Sequence, residues 1–266
     1  MIAVSPLPFP MMRMYSEAPR PRFSIITATF NSGPLFDRTA QSIRKQSFHD
    51  FEWLVVDGAS NDDTVARIQA QGDLIKHWIT EKDRGISDAW NKGLAMARGD
   101  YILLLNAGDT YDSGFLNKIN ERAGDSCCVI CSHARILTES SNNVAIFRSE
   151  PHKLYRAMHL AHNWCAVPRI HYEQIGGYAD MKLAMDFEWF HRYYRRHGPA
   201  GFTIIDKPLG DYHMGGISDV NYVASFRANA DILIHHGTPS HIANFWCLAY
   251  TAKHAWRSRR LKAKSQ

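Results

Sequence analysis

Three acidic side chains far apart in the chain, Asp57, Asp109 and Asp186, stand where carboxylates can do chemistry. Asp109 closes the run Tyr101-Ile102-Leu103-Leu104-Leu105-Asn106-Ala107-Gly108-Asp109. This is a nearly unbroken apolar strand of the kind buried on both faces, ending in a turn with one carboxamide and one carboxylate. Beyond the carboxyl end of a strand in an open α/β sheet, such a carboxylate can hold phosphates through a divalent cation. The same two side chains can also serve only the turn, bonding nearby backbone. Asp57 ends another strand, where it can meet a polar ring. Asp186 opens a helix, where it can complement the helix dipole or act as a general base. Together these parts suit transfer of a group from a nucleoside diphosphate. A cation offsets charge on the departing diphosphate, and a separate carboxylate takes the proton of an attacking hydroxyl.

The elements that must position these acids follow from local patterning. Residues 23–30 are β-branched and aromatic, and stop at the turn cluster Asn31-Ser32-Gly33-Pro34. A helix follows, with Leu35, Phe36, Ala40 and Ile43 at core spacing. A second strand, 52–56, ends at Asp57 and a loop, Gly58 to Thr64, that offers several N-caps to the next helix. A third strand is expected at 75–79. Asp83-Arg84-Gly85-Ile86-Ser87-Asp88 leads into a helix over 89–97. There Ala89, Gly93 and Ala97 recur every fourth position and make a thin face that can lie close to a sheet. Strands recurring about every 25 residues with helices between them are the mark of βαβ units and a parallel sheet. Three strand ends carry polar groups: Thr27, Thr29 and Asn31; Asp57; Asn106 and Asp109. Parallel strands put all of these on one rim.

The second half reads less sharply. A strand at 127–132 continues the core, and loops, short strands and a helix are expected through 133–160. Residues 162–167 restore an apolar strand that begins with the polar pair His162-Asn163. Residues 185–194 form a buried amphipathic helix, and 202–205 a late strand. His213 precedes Met214-Gly215-Gly216-Ile217-Ser218, whose paired glycines permit close backbone approach to a ligand. From Tyr222 onward the pattern is helical. Its end gathers Lys253, His254, Arg257, Arg259, Arg260, Lys262 and Lys264 beside Trp246, Tyr250 and Trp256, a solvated helix or a membrane-surface contact.

Composition bounds the class. With 266 residues, 45% hydrophobic and 21% charged, the chain suits one α/β domain with a C-terminal elaboration. The formal charge of +5 lies mostly at the two ends, which argues against a nucleic-acid groove over the body. Five cysteines without framework spacing fit a reducing compartment, and Cys128-Val129-Ile130-Cys131 lies in a buried strand with no second pair to complete a zinc site. No run reaches the ~20 apolar residues of a membrane-spanning helix. Residues 1–22, with five prolines, read as a flexible leader and not as a secretory signal, so a cytoplasmic location is expected. Neither a G-x-G-x-x-G fingerprint, a P-loop nor a G-x-S-x-G elbow is present.

Seven pieces in one order resemble a known family. They are Thr27-Ala28-Thr29-Phe30-Asn31; Val55-Val56-Asp57 through Thr64; Asp83 through Gly93; Leu105 through Asp109; Gly176-Gly177-Tyr178; Asp186 in its helix; and Met214 through Ser218. From about Phe23 to Ser218 the chain resembles a family 2 glycosyltransferase of the GT-A fold, in the branch that builds bacterial exopolysaccharides such as colanic acid. The resemblance implies a mostly parallel central sheet flanked by helices, a Rossmann-like nucleotide-binding half plus an acceptor half, and a helical C-terminal extension. The expected division is a leader at 1–22, the domain at 23–220 (donor half 23–110, acceptor half 111–220) and a basic helical extension at 221–266.

By that resemblance Thr27, Thr29 and Asn31 line the nucleotide site and Asp57 bonds the base. Asp83, Asp88, Lys92 and Asn106 border the nucleoside and phosphates. Asp109, with His213, holds Mg²⁺ or Mn²⁺, and Asp186 is the base of an inverting single displacement. His162, Gly215 and Gly216 are acceptor or loop contacts. Gly108 stands where the family often carries a further acid, and the Q-x-x-R-W element of processive synthases is missing, which favours one sugar per encounter. The expected partners are a nucleotide-diphosphate sugar, a lipid-linked saccharide acceptor and the inner face of the cytoplasmic membrane, reached through the basic tail. Two other readings are a sugar-nucleotide nucleotidyltransferase and a catalytically silent scaffold. The first needs a Gly/Arg/Lys-rich loop after the first strand, which Asn31-Ser32-Gly33-Pro34 is not; the second predicts loss of Asp109 or Asp186, and both are present.

Overall fold

The computed structural model describes residues 19–124, 127–138, 141–214 and 220–264, with side chains of 138, 141–144 and 257–264 left aside. Most of the leader, and Gly215, Gly216, Ile217 and Ser218 of the glycine loop, lie outside the described residues. The first half alternates as its patterning predicts: β1 (Phe23–Thr29), α1 (Pro34–Arg44), β2 (Phe51–Asp57), α2 (Thr64–Gln69), β3 (His77–Thr80), α3 (Ile86–Met96) and β4 (Tyr101–Leu104). β1 pairs in parallel with β2 on one side and β4 on the other, and β2 with β3. Every residue of β1 is buried, as a central strand covered on both faces requires.

α3 lies against β1 through the expected thin face. A Cβ on Gly93 would stand 2.3 Å from Ile26 Cγ2, so only glycine lets the helix come this close.

The second half is mixed. It runs β5 (Thr110–Tyr111), α4 (Phe115–Arg122), β6 (Val129–Thr138), β7 (Ser141–Phe147), β8 (Cys165–Pro168), α5 (Arg169–Ile175), α6 (Met185–His197) and β9 (Phe202–His213). β8 inserts antiparallel between β4 and β6, and β9 runs parallel to β6, giving the order β3-β2-β1-β4-β8-β6-β9-β5 with β7 beside β6. The sheet is therefore parallel through β4 and mixed beyond it. Two apolar clusters fill its faces, one around Trp90, Tyr178 and Trp189, the other around Phe36, Trp53 and Phe115.

Local boundaries differ from expectation where neighbours override pattern. Cys127 is exposed, so β6 starts at Val129. His162–Trp164 form a 3₁₀ turn and the strand begins only at Cys165. α7 (Tyr222–His235) and α8 (Ser240–Lys264) pack on each other after β9. α8 is tied to the body by His159 Nε2 and Tyr250 Oη at 2.8 Å and by Arg156 over the Trp246 ring at 4.5 Å.

Candidate active site

The loops after β1 and β2 are knitted to each other. Asn31 N–H donates to Ser60 Oγ at 2.8 Å, and Asn61 N–H donates to Asn31 Oδ1 at 2.9 Å. Ser60 in turn donates from N and Oγ to the two oxygens of Asp57, at 2.9 and 2.5 Å, and Thr80 Oγ1 adds a third bond at 2.6 Å. Asp57 is fully buried, so these donors replace the water it has lost. A carboxylate has about four lone-pair sites, which leaves it one more acceptance. Thr29 Oγ1 meets Ser32 Oγ at 2.5 Å in the same loop, whereas Thr27 gives its hydroxyl oxygen to Trp53 Nε1–H at 3.0 Å in the core beneath.

Asp83 comes over the end of β2 because Gly58 has no side chain: a Cβ there would stand 2.6 Å from Asp83 Oδ2. Phe30, an exposed aromatic ring at the end of β1, borders the same spot. On the first turns of α3, Lys92 Nζ lies 2.8 Å from Glu81 and 3.4 Å from Asp88, and Arg84 lies 3.0 Å from Asp88. Burial alone would raise the Asp88 pKa, but bonds from Arg84 and the charge of Lys92 outweigh it and hold the carboxyl below its usual range.

The 3₁₀ turn His162–Trp164 joins the other two acids. Asn163 Nδ2–H donates to Asp109 Oδ2, and the backbone N–H of His213 donates to Asp109 Oδ1 at 3.0 Å. One residue earlier, His162 Nδ1 stands 3.2 Å from Asp186 Oδ2, while Phe187 N–H donates to Asp186 Oδ1 at 2.8 Å. Asp109 and Asp186, 77 positions apart by number (186 − 109), thus meet consecutive residues of one short turn. Tyr111 Oη–H donates to Asn163 O at 2.7 Å and locks that turn in place. His213 reaches Asp109 through its backbone. Burial and then the charge of Arg38 lower its ring pKa against the pull of Asp211. Burial also pushes His162 down, against Asp186, so its ring is neutral at pH 7.

Three non-glycine residues have positive φ among the described residues: Asn31 (48°), Ala59 (63°) and Ala184 (59°). They lie in the loop after β1, the loop after β2, and immediately before Met185 and Asp186, which is where strain collects when loops are held for function. Gly108 has φ 104°, and its N–H donates to Thr39 Oγ1 at 2.9 Å, so this turn favours glycine where the family often places an acid.

The Gly176-Gly177-Tyr178 piece has a packing role: the Asn91 carboxamide exchanges two 2.8 Å bonds with the Tyr178 backbone, and a Cβ on Gly177 would stand 2.4 Å from Asn91 Oδ1. Asn163 and Trp90 were not among the expected site residues. Asn163 had one signal, a polar residue beside His162 at the start of an apolar strand.

Among the described residues no group of three or more His, Cys, Asp or Glu gathers as a metal cage. A divalent cation held by a nucleotide needs less. Asp109 offers carboxylate oxygens, and among the described residues the buried Asn106 Oδ1 has no hydrogen-bond partner. Hard oxygen donors completed by phosphate and water fit Mg²⁺ or Mn²⁺.

A parallel half whose strand ends carry acids, joined to a mixed half that turns a further acid toward them, is the layout of a GT-A glycosyltransferase. Residues 24–196 match the Glycosyl transferase family 2 profile, and the chain belongs to that family. The GalNAc(5)-diNAcBac-PP-undecaprenol beta-1,3-glucosyltransferase of Campylobacter jejuni is 30% identical over 125 residues, 46% of this chain and 40% of its own length. The PGL/p-HBAD biosynthesis glycosyltransferase of Mycobacterium bovis is 37% identical over 111 residues, 40% of this chain and 43% of its own. The chain thus matches less than half the length of these relatives. Mannosyltransferase PcManGT from Pyrobaculum calidifontis, solved in complex with GDP-Man and Mn²⁺, shares the fold with a TM-score of 0.65 at 20% identity, over 98% of this chain and 79% of its own. S. aureus TarS 1-349 in complex with UDP-GlcNAc gives a TM-score of 0.61 at 16% identity, over 88% of this chain and 72% of its own.

Proposed function

We propose that this chain transfers a single sugar, with inversion, from a nucleoside-diphosphate sugar to a hydroxyl of a lipid-linked saccharide in bacterial surface polysaccharide or glycolipid synthesis, the exopolysaccharide branch included. The observation that carries this reading is the meeting of Asp109 and Asp186 at Asn163 and His162. Residues 23–110 form the donor half, 111–220 the acceptor half and 221–266 an extension. Asp57, with its remaining acceptor site, takes an N–H of the base, and Phe30 offers it a ring face. Asp83, Asp88 and Lys92 border the nucleoside and phosphates, together with Thr29 and Asn31.

Asp109 and Asn106, with His213 beside them, are the residues that would hold Mg²⁺ or Mn²⁺. When bound, the ion offsets charge on the leaving diphosphate. Asp186 accepts the proton of the attacking hydroxyl at Oδ2, while the Phe187 N–H holds Oδ1 and keeps the carboxylate oriented.

The acceptor is taken as lipid-linked because the Campylobacter relative is named for a PP-undecaprenol-linked saccharide. No described helix is long and apolar enough to cross a membrane. α8 instead exposes Ile242, Phe245, Leu248 and Trp256 along one side, and residues 240–266 contain no acid, which suits a peripheral contact with an anionic inner leaflet from the cytoplasm.

The test is release of UDP or GDP from a panel of sugar nucleotides, with and without EDTA. Release that needs Mg²⁺ or Mn²⁺ is the expected result. Absence of release from every donor, metal present, would end the reading.

A further inference from the structure

Trp90 lies in α3 at 2% exposure, and its indole Nε1–H has no hydrogen-bond partner among the described residues. Its ring meets His162 edge-on, centroids 5.5 Å apart at 63°, and leans on Tyr178 at 5.0 Å. The Asp186 carboxylate, 3.2 Å from His162 Nδ1, selects the tautomer protonated at Nδ1 and leaves Nε2 a lone-pair acceptor. That Nε2 is shielded from solvent and, among the described residues, also has no partner. Burying one unsatisfied donor and one unsatisfied acceptor on neighbouring rings is unfavourable, and native structures seldom leave such groups unanswered.

A single group that answered both would accept from Trp90 and donate to His162. A carboxylate or phosphate dianion cannot donate, and an ammonium cannot accept. A neutral hydroxyl does both through one oxygen. We infer that Trp90 and His162 form a subsite that reads one sugar hydroxyl beside Asp186, the oxygen accepting from Trp90 Nε1–H and its proton pointing to His162 Nε2. This rests on the glycosyl-transfer reading and adds to it a residue pair that discriminates among sugars. A hydroxyl-reading site rejects the analogue that lacks the hydroxyl, because its own buried groups are then left unpaired.

The hydroxyl belongs either to the donor sugar or to the acceptor sugar, and two titration arms separate them. Trp90→Phe keeps the ring and removes the N–H; His162→Asn keeps an amide facing Asp186 and removes the Nε2 acceptor. Both variants and the wild-type chain are melted to check folding. They are then titrated with UDP, GDP, UDP-glucose, UDP-GlcNAc and GDP-mannose in Mn²⁺, and, when loaded with UDP or GDP, with octyl glucoside, octyl galactoside and octyl mannoside.

The nucleoside diphosphates should bind all three proteins alike. In the donor case both variants lose about 5–20-fold of the preference for sugar nucleotide over nucleoside diphosphate. In the acceptor case the same factor is lost from octyl-glycoside binding instead. Variants equal to wild type in both arms, as a resident water between the rings would produce, overturn the subsite. A parallel fall in UDP and GDP binding overturns it as well, by showing Trp90 to be a packing residue only. Wild-type protein that binds none of the nucleotides would remove the glycosyl-transfer reading itself, and the subsite with it.

Discussion

Asp186 has one oxygen on the Phe187 N–H and the other toward His162, a neutral ring at pH 7, so the carboxylate is oriented without being paired to a cation. A base needs that arrangement: a firm ion pair would weaken its pull on a proton. Asp186→Asn keeps the shape and the acceptance from Phe187 but removes the basicity. Donor binding should stay within about twofold while kcat falls by ~10²-fold or more, the size of a general-base contribution. Turnover by the variant at the wild-type rate would show that another group takes the proton. Asp109 differs in kind. It is buried, fixed by Asn163 and the His213 amide, and the turn it ends is shaped around Gly108 in a conformation that side chains resist. One acid instead of two at this turn is therefore matched to its backbone.

Two elements carry the site and the contact. α3 brings Trp90, Asp88 and Lys92 to the rim because Gly93 lets it sit directly on Ile26 of β1. Gly93→Ala improves helix propensity by roughly 1 kcal/mol yet forces a methyl into a fully buried neighbour. Overpacking of a filled core costs about 1–3 kcal/mol, so the expected net result is a lower urea midpoint with unchanged m-value. A midpoint equal to or above wild type would mean that α3 can shift off the sheet freely.

α8 holds its inner side to the body through Tyr250 and Trp246, and leaves Phe245 (60% exposed) and Leu248 (71% exposed) outward. Phe245→Glu with Leu248→Glu should reduce co-sedimentation with vesicles containing anionic lipid. Removal of residues 251–266 should reduce it too, and salt should mimic only the truncation, since salt screens charge and leaves apolar insertion intact. Equal vesicle binding by all the forms would remove the membrane contact.

Across the whole molecule, buried histidines set an acid limit. Burial pushes His191 of α6 and His159 beneath α8 down to about 4, against the pull of the Leu154 carbonyl on the first and of Glu150 on the second. An unfolded histidine titrates near ~6.5. Between these values the unfolded chain binds protons that the folded chain refuses, so stability rises with pH across the window. It is present in full above about pH 6.5 and is lost as pH falls toward 4. The Tm should therefore decline from pH 7 to pH 5, before most carboxylates titrate, and His191→Gln should flatten the decline. A level Tm over that range would show that neither ring is buried neutral. Because His191 shares α6 with Asp186, acid should loosen the helix that carries the proposed base together with the fold.

The sequence by itself determined the parallel half. Apolar runs at 23–30, 52–56 and 101–105 and the turn residues between them are local signals, and parallel strands carry their ends, with Asp57 and Asp109, to one edge whatever else the chain does. It also determined the thin face of α3. Only the tertiary structure decided that β8 enters antiparallel beside β4, pairing Leu103 with Ala166, because strand pairing is a contact between distant segments and leaves no trace in either one's periodicity. The same contact decided the site. Periodicity reports which face is buried, not what a side chain meets there. Thr27 therefore turned out to serve Trp53, Gly177 to serve Asn91, and Asn163 to hold Asp109, once β8 had drawn the turn before it between the two acids.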